Sequence, residues 1–252
     1  MRIINFILTL IGVFVANCEE LVELNSRNMI TIRGPIQHES VSDFIGKTSK
    51  IDSDHIYIYL SSPGGSVMEG MKIVDLIKSL EKSGKHVSCI SDFSASMAFI
   101  ILQSCSTRLA TFSSILMQHQ MSLGLDGNIE NVNNYLDFIR QIDIELNKLQ
   151  AEKIGMTEET FKKKIENDWW IHGPDAKKNS VVDDIVLVKC HQDLYGKFET
   201  FVVSTMFGPV KLKYTKCPLS RYPIEVDFDG DINKINITQW LNYDKPIFRL
   251  NY

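Results

Sequence analysis

The run HIYIYLSSPGGSVMEGMKIVDLIKSL, residues 55–80, constrains the fold more than any other stretch. Ile56, Ile58 and Leu60 share one face and Tyr57 and Tyr59 the other, which is the two-residue period of a strand. SSPGGS breaks that strand. From Val67, apolar residues recur at Met71, Val74, Ile77 and Leu80, the spacing of a helix. The pattern then repeats: HVSCIS reads as a strand, and SDFSASMAFI, residues 91–100, reads as the start of a serine-rich helix that runs on into FIILQ. Strand–helix alternation of this kind predicts an α/β domain with largely parallel pairing.

The flanking segments extend the pattern. NMITIRG is a strand and ESVSDFIGK a short helix. TRLAT and SILMQH read as two further strands. The longest helix follows, with Val132, Tyr135, Leu136, Ile139, Ile142, Leu146 and Leu149 as its apolar stripe. Gly155 is placed to end it in a left-handed cap, and Thr157 to start the next helix with Glu158 and Glu159 in the first turn. GPDAKKN is a short helix and VVDDIVLV a strand. After Lys189 the texture changes to alternating runs, FETFVVS, VKLKY and IEVDF, separated by YGK, FGP and DGD. Residues 190–252 therefore read as a small β-rich extension.

A net charge of −4 carries no basic signature for nucleic acid. The five cysteines show no zinc-type spacing; Cys89 and Cys105 fall in apolar runs and read as buried thiols, whereas Cys190 and Cys217 are a pair that an oxidising compartment would join. The N-terminus, MRIINFILTLIGVFVANCEE, has Arg2, an apolar run from Ile3 to Ala16, then small and polar residues. That is the layout of a secretory signal peptide, and the run is shorter than the roughly 20 residues of a membrane span. Residues 1–18 are expected to be a leader, with an uncleaved or lipid-linked anchor at Cys18 as alternatives. The implied destination is the secretory pathway, periplasm or exterior, with membrane contact only if the leader is kept.

Three segments carry chemistry. In SPGGS two adjacent glycines let the backbone approach a ligand with its N–H groups, and the absence of a following lysine argues against a phosphate loop. In SASMA, Ser96 sits at a helix start, where negative charge is stabilised, and Ser94 is the better capping candidate. In SILMQHQ, His119 ends an apolar strand, where a base can project into a cleft. Taken singly, a tight turn, a capping serine and a structural histidine explain each of them.

Together they resemble the proteolytic subunit of the Clp protease. That family carries SPGG, ASMG and IMIHQP in the same order at similar intervals, then ERDxFMSAxEAxxYGLID. Here LSSPGGSVMEGM, SASMAF, ILMQHQM and IENDWWIHGPDAKKNSVVDDIV match them. The resemblance covers about residues 28–188. It departs at Ala98, where the family has glycine, and at Met121, where it has proline.

The resemblance implies a ClpP/crotonase-like spiral of β-β-α units with a long handle helix, occupying residues 19–189. It implies a serine endopeptidase without cofactor or metal, with Ser96 as nucleophile, His119 as base and Asp168 as acid. The N–H groups of Gly65 and Met97 become candidate oxyanion donors. Gly64, Ser66, Val67, Ser122 and Leu123 become candidate substrate contacts. A peptide or unfolded-protein substrate and a homo-oligomeric ring follow, and an ATP-driven unfoldase is allowed as partner, although a secretory destination is poor in ATP. Three other readings stay open: a non-catalytic ring subunit, an acyl-coenzyme A hydratase or lyase of the crotonase fold, and a membrane-associated relative of signal peptide peptidase A. The last uses a Ser-Lys pair, and the first would not need the triad.

Overall fold

The computed structural model describes residues 20–205 and 208–228. These divide into two compact units, one of residues 20–23 and 27–189, the other of residues 24–26 and the described part of 190–252. The leader lies outside the described residues, as do residues 229–252. None of the described helices is long and apolar enough to cross a membrane.

The first unit is a mixed α/β layer structure. Its strands are β1 (Glu20–Leu24), β2 (Met29–Arg33), β3 (His55–Ser62), β4 (His86–Ala95), β5 (Thr107–Gln118), β6 (Trp169–His172) and β7 (Asp184–Cys190). The helices are α1 (His38–Thr48), α2 (Val67–Lys82), α3 (Met97–Ser104), α4 (Ile129–Ile154), α5 (Glu158–Lys164) and α6 (Gly173–Lys178). The sheet order is β1-β7-β5-β4-β3-β2. β2, β3, β4, β5 and β7 pair in parallel, and β6 runs antiparallel against the far end of β5. Parallel sheets are covered on both faces. That is why Tyr59, on the opposite face of β3 from Ile58, is buried as well.

Several local expectations change. TRLAT and SILMQH are one continuous strand, β5. SDFSASMAFI does not open a helix at residue 91: β4 runs on through Ala95, and α3 starts at Met97. Ser94 is therefore a buried strand residue whose hydroxyl meets Ser91 Oγ at 2.7 Å, not a cap. Cys89 and Cys105 are not thiols but a disulfide, closing a loop around the β4–α3 junction. β1 and β6 were not foreseen. Gly155 does take the left-handed cap, at φ 77° and ψ 33°, and Thr157 Oγ1 accepts from the Thr160 N–H.

Arg108 locks the far side of this unit. Its guanidinium donates to Gln103 Oε1 at 2.9 Å, to the carbonyls of Lys153 and Ser180 at 3.0 Å each, and to both Asp183 oxygens. Burial alone would raise the Asp183 pKa, but the hydrogen bonds and charge of Arg108 outweigh it and hold the carboxyl below its ordinary value. A carboxyl so depressed stabilises the fold above its ordinary titration range and stops doing so as the pH falls through its folded value. Arg108→Met is expected to cost about 3 kcal/mol, since it leaves buried acceptors without a donor. Urea midpoints should also fall less between pH 6 and pH 3 in the variant than in the parent. Parallel slopes would show that Asp183 draws nothing from Arg108.

The second unit holds β8 (Phe198–Thr205), β9 (Gly208–Thr215) and β10 (Glu225–Phe228), an antiparallel sheet in the order β10-β9-β8. A disulfide joins Cys190 to Cys217. Asp193 accepts from Ser26 N and Oγ and contacts His191. Burial opposes ionisation there, but those hydrogen bonds prevail and take its pKa down to about 2.

Candidate active site

Ser96 occupies the single residue between β4 and α3, with φ 54° and ψ −120°. A positive φ is costly for a residue with a Cβ, and such strain persists where the surroundings over-determine it. The surroundings are specific. The Ser96 N–H donates to Met117 O at 2.9 Å, tying the turn to the strand that leads to His119. Residues on both sides, Ala95 and Met97, are buried, while Ser96 is half-exposed. Its hydroxyl makes no capping bond.

The SPGGS turn is built around that residue. A Cβ on Gly64 would come within 2.5 Å of Ala95 O and 2.8 Å of Met97 N and Ser96 Cβ. Gly65 lies at φ 144° against Ile36, whose N–H donates to Gly64 O at 2.8 Å and whose carbonyl accepts from Ser66 N at 2.9 Å. Those bonds pass over the Gly65 N–H, so it has no acceptor among the described residues. The Met97 N–H, first in α3, is likewise uncommitted, as expected for the first turn of a helix.

His119 follows β5 and is half-buried. Its backbone N–H donates to Gln118 Oε1 at 3.1 Å. Gln118 Nε2 in turn donates to Gln150 Oε1, and Gln150 Nε2 to Leu146 O at 2.9 Å. Both glutamines are almost fully buried, so a satisfied amide relay fastens the end of β5 to α4.

A cavity of about 90 Å³ opens between these elements. Gly65, Val67, Ser96, Met97, His119 and Ser122 line it, with Ile100, Gln118, Met121, Asp143, Leu146, Asn147 and Gln150. Gly64, Ser66, Leu123 and Asp168 do not. Gly64 abuts the Ser96 turn from behind. Ser66 caps α2, its Oγ accepting from Glu69 N at 3.3 Å. Leu123 is exposed. Of the two departures, Met121 lines the cavity, and Ala98 is fully buried and does not.

Asp168 is exposed, one residue ahead of β6. β6 pairs Trp169 with Gln118 and Trp170 with Met117, and extending that register by one residue sets Asp168 opposite His119. Directly opposed antiparallel residues have Cβ atoms about 5 Å apart. No hydrogen bond or ion pair joins His119 to Asp168 or to Ser96 among the described residues.

The α4 contribution was missed from sequence. Asp143, Asn147 and Gln150 lie beside the apolar stripe at i, i+4 and i+7, a polar set that shares the stripe's inward side. Other histidines stand apart. His55 stacks on Tyr57 at 4.2 Å and bonds Ser88 Oγ at 2.8 Å; burial first, then the neighbouring His86, lowers its pKa. His172 meets the Phe112 ring edge-on. No group of His, Cys, Asp or Glu among the described residues is arranged to hold a metal ion.

The strand–glycine–helix turn, the strained serine and the strand-end histidine thus converge in one unit, in the order that the resemblance implied. Residues 17–189 match the family model for Clp protease. Membership supports a peptidase of serine type, in a family that generally forms oligomeric rings with ATPase partners. On the extent of that match and the parallel α/β architecture beneath it, the chain belongs to the Clp protease family.

Proposed function

We propose that the chain is a serine endopeptidase acting through Ser96, His119 and Asp168. The observation that carries this is the strained Ser96 turn sharing one cavity with His119 and with the uncommitted N–H groups of Gly65 and Met97. Ser96 Oγ attacks the peptide carbonyl as His119 takes its proton, giving a tetrahedral oxyanion that the two N–H groups stabilise. His119 then protonates the leaving amine, the acyl-enzyme forms, and water releases the acid by the reverse sequence. Asp168, set opposite His119 by the β6 register, turns inward to orient the imidazole and to stabilise its cation. The substrate chain lies along Gly64 to Val67 on one side and Ser122 to Leu123 on the other.

Ile129, Tyr135, Phe138 and Ile144 leave an exposed apolar run along α4, which supports packing against another copy in a ring. The two disulfides support a secretory, oxidising destination. There, short peptides or already unfolded chains suit the enzyme better than an ATP-driven supply.

The exposure of Asp168, which makes no hydrogen bond or ion pair with His119, favours one second reading, a ring subunit without activity. A fluorophosphonate probe separates the two. The expected result is one label per chain, mapped to Ser96 by peptide mass, together with cleavage of short fluorogenic peptides. A well-folded protein that takes no label is the inactive subunit.

A further inference from the structure

We infer, on the peptidase reading above, that Asp143 selects the side chain preceding the scissile bond, and that the enzyme cleaves after lysine and arginine. The cavity beside Ser96 has apolar walls, Val67, Met97, Ile100, Met121 and Leu146. Its polar groups are mostly committed. Ser96 and His119 belong to the chemistry, and the amides of Gln118 and Gln150 are bonded to each other and to backbone. Asp143 is different. It is half-buried, lines the cavity, and accepts one side-chain hydrogen bond, from Asn147 Nδ2 at 2.9 Å. No lysine or arginine lines the cavity, and none is within ion-pair reach of Asp143 among the described residues.

The other acids nearby on α4 are placed otherwise. Asp137 pairs with Arg140 at 2.8 Å, and Glu145 and Glu152 line a separate groove toward α2. Asn147 is itself buried, so it fixes the Asp143 carboxylate rather than letting it swing with solvent. A carboxylate fixed in this cavity beside Val67, Ile100, Met121 and Leu146, with no lysine or arginine lining the same cavity, is a ready partner for a cationic side chain. A lysine or arginine supplies one, laying its methylene stem along the apolar walls with its charge at the carboxylate. An acidic side chain in the same place meets like charge, and an aliphatic one leaves the carboxylate unpaired.

The test uses peptides identical except for the residue before the cleaved bond, Lys, Arg, Leu or Glu, each with the same fluorophore. For the full chain, kcat/KM is expected to favour Lys and Arg over Leu by about tenfold or more, the order of magnitude for a desolvated charge pair. In Asp143→Asn that ratio should collapse about tenfold, and in Asp143→Glu it should be largely retained. A parent enzyme that prefers Leu overturns the inference. So does an Asp143→Asn variant slowed by one common factor on every peptide, because Asp143 would then act through His119. Fluorophosphonate labelling run in parallel keeps the two layers apart. Label without a basic preference sinks the specificity and leaves the peptidase standing; neither label nor cleavage of any peptide overturns both.

Discussion

Ser96→Ala is expected to lower peptide turnover by a factor on the order of 10⁶, as removal of a serine-protease nucleophile does. Fluorophosphonate labelling should vanish with it. The melting temperature should barely move, because the Ser96 hydroxyl makes no capping bond and alanine meets the same cost at φ 54°. His119→Ala and Asp168→Asn should each cut turnover in the parent and add almost nothing in the Ser96→Ala background, since members of one catalytic unit are not additive. Turnover that survives in purified Ser96→Ala would place the nucleophile elsewhere. Ser94 is then a poor substitute, for it has no exposed surface and its hydroxyl is engaged by Ser91. Full activity in Asp168→Asn would leave His119 with a different acid, or with none.

Gly64→Ala is expected to damage both the fold and the activity severely. The new Cβ meets Ala95 O, Met97 N and Ser96 Cβ at 2.8 Å or less, and the residue sits at φ +89°. All three contacts belong to the turn that carries Ser96, two of them backbone atoms that cannot step aside alone. We expect a loss of about 3 kcal/mol or more in urea unfolding, from strain and overpacking together. We also expect kcat/KM to drop at least about 100-fold in the fraction that remains folded, since displacing a reacting group by about 1 Å has that effect. Gly84→Ala is the control: its φ is +93°, yet a Cβ there meets nothing within 4 Å. That variant should lose about 1 kcal/mol and keep its activity. Equal behaviour of the two variants would mean that the SPGGS turn does not brace the nucleophile.

Much of the parallel sheet was legible in sequence because its strands are short, apolar and punctuated. HIYIYL and HVSCIS end at glycine or serine clusters and hand over to helices of clear period. What escaped did so for identifiable reasons. SDFSASMAFI mixes small residues with apolar ones, and nothing local says that the strand continues to Ala95; pairing with β3 and β5 decides it. WWIH is too short to show alternation, so β6 is defined by its partner rather than by its own pattern. ELVEL is five residues long, too short to show a period of its own, so β1 is defined by its place beside β7. Cys89 and Cys105 sit in runs that look like plain core, and only the fold brings the end of α3 back beside β4. Ser96 and His119 were readable because each occupies a punctuation point. Asp143 was not, because a polar residue beside an apolar helical stripe looks like any solvated position until β5 and the SPGGS turn close over it.

The four residues of β6 act as a ruler. At one end the register, extended by one residue, sets Asp168 opposite His119; at the other, Gly173 fits where a Cβ would strike the carbonyl oxygens of Thr111 and Phe112. A strand has a period of two, so a slip of one position would turn Asp168 to the opposite side and bring Trp169 to His119. The same slip would drive a side chain into the Gly173 niche, which forbids it. The alignment of Asp168 is therefore indexed from a glycine at the far end of the strand. A one-residue insertion or deletion within residues 169–172 should leave a folded sheet with Ser96 and His119 in place and Asp168 displaced.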